Sequence, residues 1–275
     1  MTNLTEKKYN IGYAIINTIS FGNGDKNLVL LPGWPLSSRI YQVLEKYLSD
    51  DYKVVGIDLP GWSGNSEFKM KFRSKVKDHL KIIRDSLDTI FPEENGVNIG
   101  GVSVGGTLAI LVAHDYSKKI GKVFVQSAPY QGKYLTKTHK FEAFFMNCAR
   151  FVPGLDKILK ICYMGPKIAE YKNHEYAIDE ELGNQLNQEF KRLDSKCVLD
   201  FATDFFNNDY SEIFSKVSNE VIVVGCKKDD LVPSKMGLRL SNILPNSKYY
   251  EVEDGDHYLV AKNPKEIARI IRENI

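Results

Sequence analysis

The stretch from Asn95 to His114 carries no Asp, Glu, Lys or Arg and holds five glycines. Its apolar pieces are too short to cross about 30 Å of hydrocarbon. It reads instead as a buried strand, a glycine-rich turn and a buried helix. Val97-Asn98-Ile99-Gly100 is the strand, and Gly101-Val102-Ser103-Val104-Gly105 is the turn from which the helix starts. This is G-x-S-x-G in the strand–turn–helix setting that it requires. A serine on so sharp a turn is strained, with its hydroxyl presented outward. Side chains two residues before and two after would collide, so glycine fills both places. The helix beginning at Val104 brings backbone N–H donors and a positive dipole end beneath a developing oxyanion. The bland alternative is a turn that only packs a helix on a sheet. Gly101, Gly105 and Gly106 do not make the G-x-G-x-x-G of a dinucleotide site.

The rest of the chain supplies a sheet for that turn. Residues 9–20 suggest a strand or hairpin, and Leu28–Leu31 a short apolar strand ending at Pro32-Gly33. Ile40, Leu44 and Leu48 predict a helix over 37–49, capped by Ser37 or Ser38. Lys53–Leu59 reads as a buried strand, 72–90 as a helix and Lys122–Gln126 as a strand. Such alternation marks an α/β fold with a mostly parallel sheet covered on both faces. It lapses from about Gln131 to Tyr210, where helical spacing dominates, and resumes at Val221–Val224. A helix near Pro233–Leu244, a strand Lys248–Val252 and a helix from Pro264 complete it. The expected organisation is a core of residues 1–130 and 211–275 with a helical cap, 131–210, inserted between them.

Charge and cysteine usage exclude several other classes. The net charge is +2, which gives no reason to expect nucleic acid or an anionic membrane as partner. Cys148, Cys162, Cys197 and Cys226 form no C-x-x-C pair and have no histidine at zinc spacing, so no metal site is expected. The N-terminal residues show no apolar secretory core, and a cytoplasmic location is the expectation.

A nucleophilic serine needs a base, and the base needs an orienter. His79 and His114 fall inside predicted helices, and His139 and His174 in the inserted block. His257 follows a late strand, where a loop could carry an imidazole over the serine; alone it would read as a surface turn. The loop after Val221–Gly225 carries Asp229 and Asp230. An aspartate in such a charged loop is usually solvated. Here, however, the order serine, aspartate, histidine is that of the triad accompanying this serine turn, with each member at a strand end.

With these residues in place, the chain resembles the α/β-hydrolase fold family over nearly all its length. Leu30-Leu31-Pro32-Gly33-Trp34-Pro35 resembles the family's H-G-W-P turn. Asp58-Leu59-Pro60-Gly61-Trp62-Ser63-Gly64-Asn65-Ser66 resembles its D-x-P-G-x-G-x-S segment. Asp229-Asp230-Leu231-Val232-Pro233 resembles the D-x-x-V-P that carries the acid, which selects Asp229. His257 matches the late G-H motif. There are three departures: Pro32 for histidine, Ser63 for glycine, and Asp256 for the glycine before His257. Asp256 would raise the imidazole pKa if its carboxylate pointed inward.

An oxyanion hole needs the N–H after the serine, from Val104, and a second from the loop after Leu28–Leu31. Pro32 and Pro35 have none to give, which leaves Gly33 and Trp34; the family pattern favours Trp34. The resemblance implies a cofactor-free serine hydrolase with the triad Ser103, Asp229 and His257, acting on a small-molecule acyl substrate as a monomer or homodimer. A carboxylic ester is the expected substrate. Thioester or carbon–carbon bond hydrolysis, acyl transfer, and a ligand-binding receptor on the same fold are the alternatives. The Trp34 indole and cap residues Phe141, Phe144 and Phe145 are expected to line an apolar pocket.

Overall fold

In the computed structural model, which describes residues 4–69, 74–131 and 180–275, the apolar runs read as strands pair into one nine-stranded sheet. β1 (Thr5–Asn10) and β2 (Ala14–Phe21) form an antiparallel hairpin, and β2 pairs antiparallel with β4 (Tyr52–Ile57). A two-residue β5 (Glu67–Phe68) also pairs with β2. From β4 onward every pairing is parallel, through β3 (Lys26–Leu31), β6 (Val97–Val102), β7 (Ile120–Gln126), β8 (Val221–Cys226) and β9 (Ser247–Val252).

Alternation along the strands divides the core into two layers. Val29 and Leu31 of β3 and Val221 and Val223 of β8 face one layer. Leu28, Leu30, Ile222 and Val224 face the other. The first layer is closed by α2 (Val76–Ile90), α3 (Val104–Asp115) and a later helix, Ser234–Ile243. A 3-10 segment (Ser38–Leu44), α1 (Glu45–Leu48) and the C-terminal helix Pro264–Asn274 close the second. Leu31 is fully buried, so truncating it to alanine should cost about 2–5 kcal/mol.

The expected helix over 37–49 is a 3-10 segment that only becomes α-helical at Glu45. Its first donors are taken by side chains. Ser38 N–H donates to Asp58 Oδ1 (2.6 Å), and Arg39 N–H to Ser37 Oγ (3.0 Å). Tyr41 then anchors the segment by donating to the Leu31 carbonyl at 2.6 Å. Of the expected helical block, 132–179 lie outside the described residues, with Phe141, Phe144 and Phe145 among them. The described remainder forms α4 (Glu180–Lys191) and α5 (Ser195–Phe206). Two short helices, α6 (Ser211–Phe214) and α8 (Leu259–Lys262), and two longer ones, α7 (Ser234–Ile243) and α9 (Pro264–Asn274), complete the described chain.

The α4–α5 pair is seated on the loop after β4. Asp194 N–H donates to the Gly61 carbonyl at 2.9 Å. A Cβ on Gly61 would fall 2.2 Å from Cys197 Sγ, so the contact requires glycine. Beside it, Glu189 Oε1 accepts from Arg39 Nε (2.8 Å) and Asn65 Nδ2 (3.0 Å). The strand order positions the site. β3 leads to β4 on one side and β6 to β7 on the other, so the two C-terminal loops part at a topological switch point, where open parallel sheets place their ligands.

Candidate active site

Ser103 stands between β6 and α3 with φ 55° and ψ −127°, a region that L residues avoid. The glycines around it make that turn possible. A Cβ on Gly101 would lie 2.6 Å from the Gly105 carbonyl carbon, and one on Gly105 would lie 2.3 Å from Leu31 O. The collision expected from the sequence is therefore real, and the β3 backbone shares in it. The turn is fixed by Ser103 N–H donating to Gln126 O (2.8 Å).

The loop after β3 passes directly beside the serine. A Cβ on Gly33 would be 3.6 Å from Ser103 Cβ. Trp34 follows, partly buried, with its ring edge-on to Phe206 of α5 at 6.1 Å. Among the described residues, neither the Val104 N–H nor the Trp34 N–H has a hydrogen-bond partner. Val104 is the first residue of α3, so its N–H has no acceptor within the helix.

Asp229 lies just beyond β8 and is buried, whereas Asp230 is exposed. Asp229 Oδ1 accepts from the N–H groups of Leu231 (2.9 Å) and Val232 (2.7 Å). Its other oxygen, Oδ2, is 2.9 Å from His257 Nδ1. Burial pushes this carboxyl up, but the hydrogen bond and charge of His257 and the Val232 N–H pull it further down. The net position is below the ordinary carboxylate range. An ionised carboxylate only accepts, so the hydrogen of this bond is carried by His257 Nδ1.

The His257 loop is tied to its surroundings by the backbone. Lys228 N–H donates to Gly255 O (2.9 Å), and His257 O accepts from Gln126 Nε2 (3.1 Å). Among the described residues no hydrogen bond joins Ser103 Oγ to His257 Nε2; such bonds are often long until substrate binds. Asp256 does not aim its carboxylate at the imidazole. Oδ1 accepts from Tyr258 N–H at 2.9 Å, and Oδ2 pairs with Lys262.

The structure thus hydrogen-bonds Asp229 to His257, sets the Gly33–Trp34 loop beside Ser103, and leaves Asp230 outside. Phe141, Phe144 and Phe145 fall outside the described residues. Two neighbours of the site were not singled out from sequence. Phe206 was visible only as part of a helical pattern. Gln126 was the last letter of a strand, and its polarity in an otherwise apolar run was the available signal. Among the described residues no group of His, Cys, Asp and Glu could hold a metal ion, and no helix is long and apolar enough to cross a membrane.

Comparison with known proteins shows the family and the fold. The model of the alpha/beta hydrolase family matches residues 28–270. A 2-hydroxy-6-oxononadienedioate/2-hydroxy-6-oxononatrienedioate hydrolase of Paraburkholderia phymatum is 24% identical over 250 residues, 83% of this chain and 80% of that protein. A pimeloyl-[acyl-carrier protein] methyl ester esterase of Pseudoalteromonas atlantica is 33% identical over 101 residues, 37% of this chain and 36% of its own. Carboxylesterase CesB (YbfK) from Bacillus subtilis shares the fold with a TM-score of 0.79 at 15% identity, covering 98% of this chain and 91% of its own.

Proposed function

The chain belongs to the alpha/beta hydrolase family, and from that premise we propose that it is a serine hydrolase cleaving a carboxylic ester of a small, largely apolar substrate. The observation that carries this reading is the 2.9 Å hydrogen bond from His257 to buried Asp229, in a chain whose serine occupies a strained turn at the switch point. In the proposed reaction His257 Nε2 takes the Ser103 proton as Oγ attacks the ester carbonyl carbon. The tetrahedral oxyanion rests on the Val104 and Trp34 N–H groups, both free among the described residues. His257 then gives its proton to the departing alkoxide, leaving Ser103 acylated. Water, deprotonated by His257, attacks the acyl carbon; Ser103 regains the proton as the acid leaves. Asp229 holds the imidazole in its tautomer and stabilises the cation throughout.

We assign the helical insertion, residues 131–210, the role of a cap over this site. α5 brings Phe206 against Trp34, which favours an apolar wall for the acyl pocket. Hydrolysis of a carbon–carbon bond is the second reading, favoured by the Paraburkholderia relative. That relative's named substrate is a dianion. Lysines 227, 228 and 262, around the histidine loop, are paired with Glu253, Asp254 and Asp256, which favours the uncharged ester.

A series of aryl esters from acetyl to long acyl chains tests the choice. Each added methylene buried in an apolar pocket contributes about 0.8 kcal/mol, or roughly fourfold in kcat/KM, until the pocket is full. The expected profile rises to a medium chain and then falls. A flat profile, or preference for an anionic acyl group, would reject the apolar pocket.

A further inference from the structure

Gln126 is the last residue of β7, an interior strand between β6 and β8, and it is completely buried. Its buried neighbours in the strand are Val123, Phe124 and Val125, the composition expected of a parallel strand covered on both faces. An amide is costly in such a place. Moving it from water to an apolar site without full hydrogen bonding is destabilising, and Gln126 Oε1 has no partner among the described residues. Packing alone would favour an aliphatic side chain here. A polar residue that breaks the local pattern without a stability gain points to function.

Its two other polar contacts supply one. The Gln126 carbonyl accepts the Ser103 N–H at 2.8 Å, while its Nε2 donates to the His257 carbonyl at 3.1 Å. One residue is therefore bonded to the main chain of both the serine and the histidine. On the near side of the histidine, Gly255 donates to Val252 O and accepts from Lys228 N–H, while the Asp256 carbonyl is bonded only locally, to the Leu259 N–H at 3.2 Å. The Asp229 hydrogen bond holds Nδ1 and the Tyr258 ring packs edge-on to the imidazole at 5.7 Å, but neither contact holds the His257 main chain. The amide of Gln126 fixes the backbone from which the ring is hung, and so sets where Nε2 points.

We propose that Gln126 is a positioning residue, holding His257 in register with Ser103 through the His257 carbonyl. The inference rests on the reading of Ser103, Asp229 and His257 as the reacting triad, and goes beyond it by adding a fourth residue that touches no reacting atom.

Gln126→Met, which keeps the length and removes the donor, is the test. With a simple aryl acetate, kcat should fall about ten- to a hundredfold, the scale of an ångström-level misplacement of a reacting group. KM and the melting temperature should stay near wild-type values, and labelling of Ser103 by a fluorophosphonate should slow in proportion to kcat. Gln126→Asn keeps the amide but shortens its reach, and should show the same loss; it serves if the methionine variant does not fold. Unchanged kcat in either folded variant would overturn the inference, as would a loss that follows a large drop in melting temperature. Ser103→Ala run beside them separates the two readings. An inactive Ser103→Ala with wild-type-like Gln126 variants rejects only the role of Gln126. An active Ser103→Ala rejects the triad and this inference with it.

Discussion

His257 and His79 are the same side chain in two settings. His257 sits on the loop before α8, partly open to solvent, with its Nδ1 on a buried carboxylate. His79 lies inside α2, fully buried among aromatic rings: Phe201 of α5 at 4.8 Å, Trp62 at 5.6 Å and Phe68 at 5.9 Å. Its Nδ1 lies 3.1 Å from the Lys75 carbonyl. Burial pushes its pKa down to about 4, against the weaker upward pull of the Lys75 and Pro60 carbonyls and the Asp78 charge. An imidazole that resists protonation so strongly cannot shuttle protons near neutral pH. It acts as a packing residue that seats α5 on the core. The neighbouring charge and the access to solvent, rather than the side chain, divide the two roles.

Exchanging the two histidines breaks the comparison most forcefully. His257→Ala should lower kcat by roughly 10⁵–10⁶-fold, the scale found when a member of such a triad is deleted, with little change in melting temperature. His79→Leu should do the reverse, shifting stability while leaving kcat near wild type. Parallel kinetics and thermal melts check both. Loss of turnover in the His79 variant would mean that the seat of α5 governs the chemistry.

The carboxylates sharpen the same contrast. Asp229→Asn presents an amide N–H toward His257 Nδ1 and selects the wrong tautomer, at a cost of roughly 10⁴-fold in kcat. Asp230→Asn, at an exposed position, should be close to neutral. Equal losses in steady-state kinetics would show that the two aspartates share the role.

The smallest effect is one of pH. The His79 pKa is lower in the folded chain, about 4, than its ordinary 6.5, so the unfolded chain takes up the proton first as pH falls. The stability tied to a neutral His79 is fully present above 6.5, declines between 6.5 and 4, and is gone below 4. The loss is about 3 kcal/mol. Urea unfolding across that range should show it, and His79→Leu should flatten that part of the profile. A wild-type curve that stays level from 6.5 to 4 would contradict the buried neutral histidine.

Much of this was legible in the sequence, and for physical reasons. Gly101 and Gly105 flank Ser103 because a Cβ at either would strike backbone, a constraint that leaves a mark on residue type. Strand alternation at Leu28–Leu31 and Val221–Val224 maps directly onto the two core layers. Other features leave no such mark. The 3-10 geometry of Ser38–Leu44 depends on the Asp58 carboxylate reaching Ser38 from a separate loop. Gln126 is tied to His257 across 131 residues of chain, and nothing local announces that bond. Asp256 was open from sequence in either direction until Lys262, one turn into α8, was seen to hold it. The short elements β5, α6 and α8 are too brief for periodicity to reveal.

In the proposed mechanism Ser103 is a nucleophile activated by His257. The direct measurement is mass spectrometry of the protein after reaction with a fluorophosphonate, comparing wild type, Ser103→Ala and His257→Ala. The expected result is one adduct on the peptide carrying Ser103 in wild type, none in Ser103→Ala, and labelling slowed by orders of magnitude in His257→Ala. An adduct on another residue, or wild-type labelling in either variant, would contradict it.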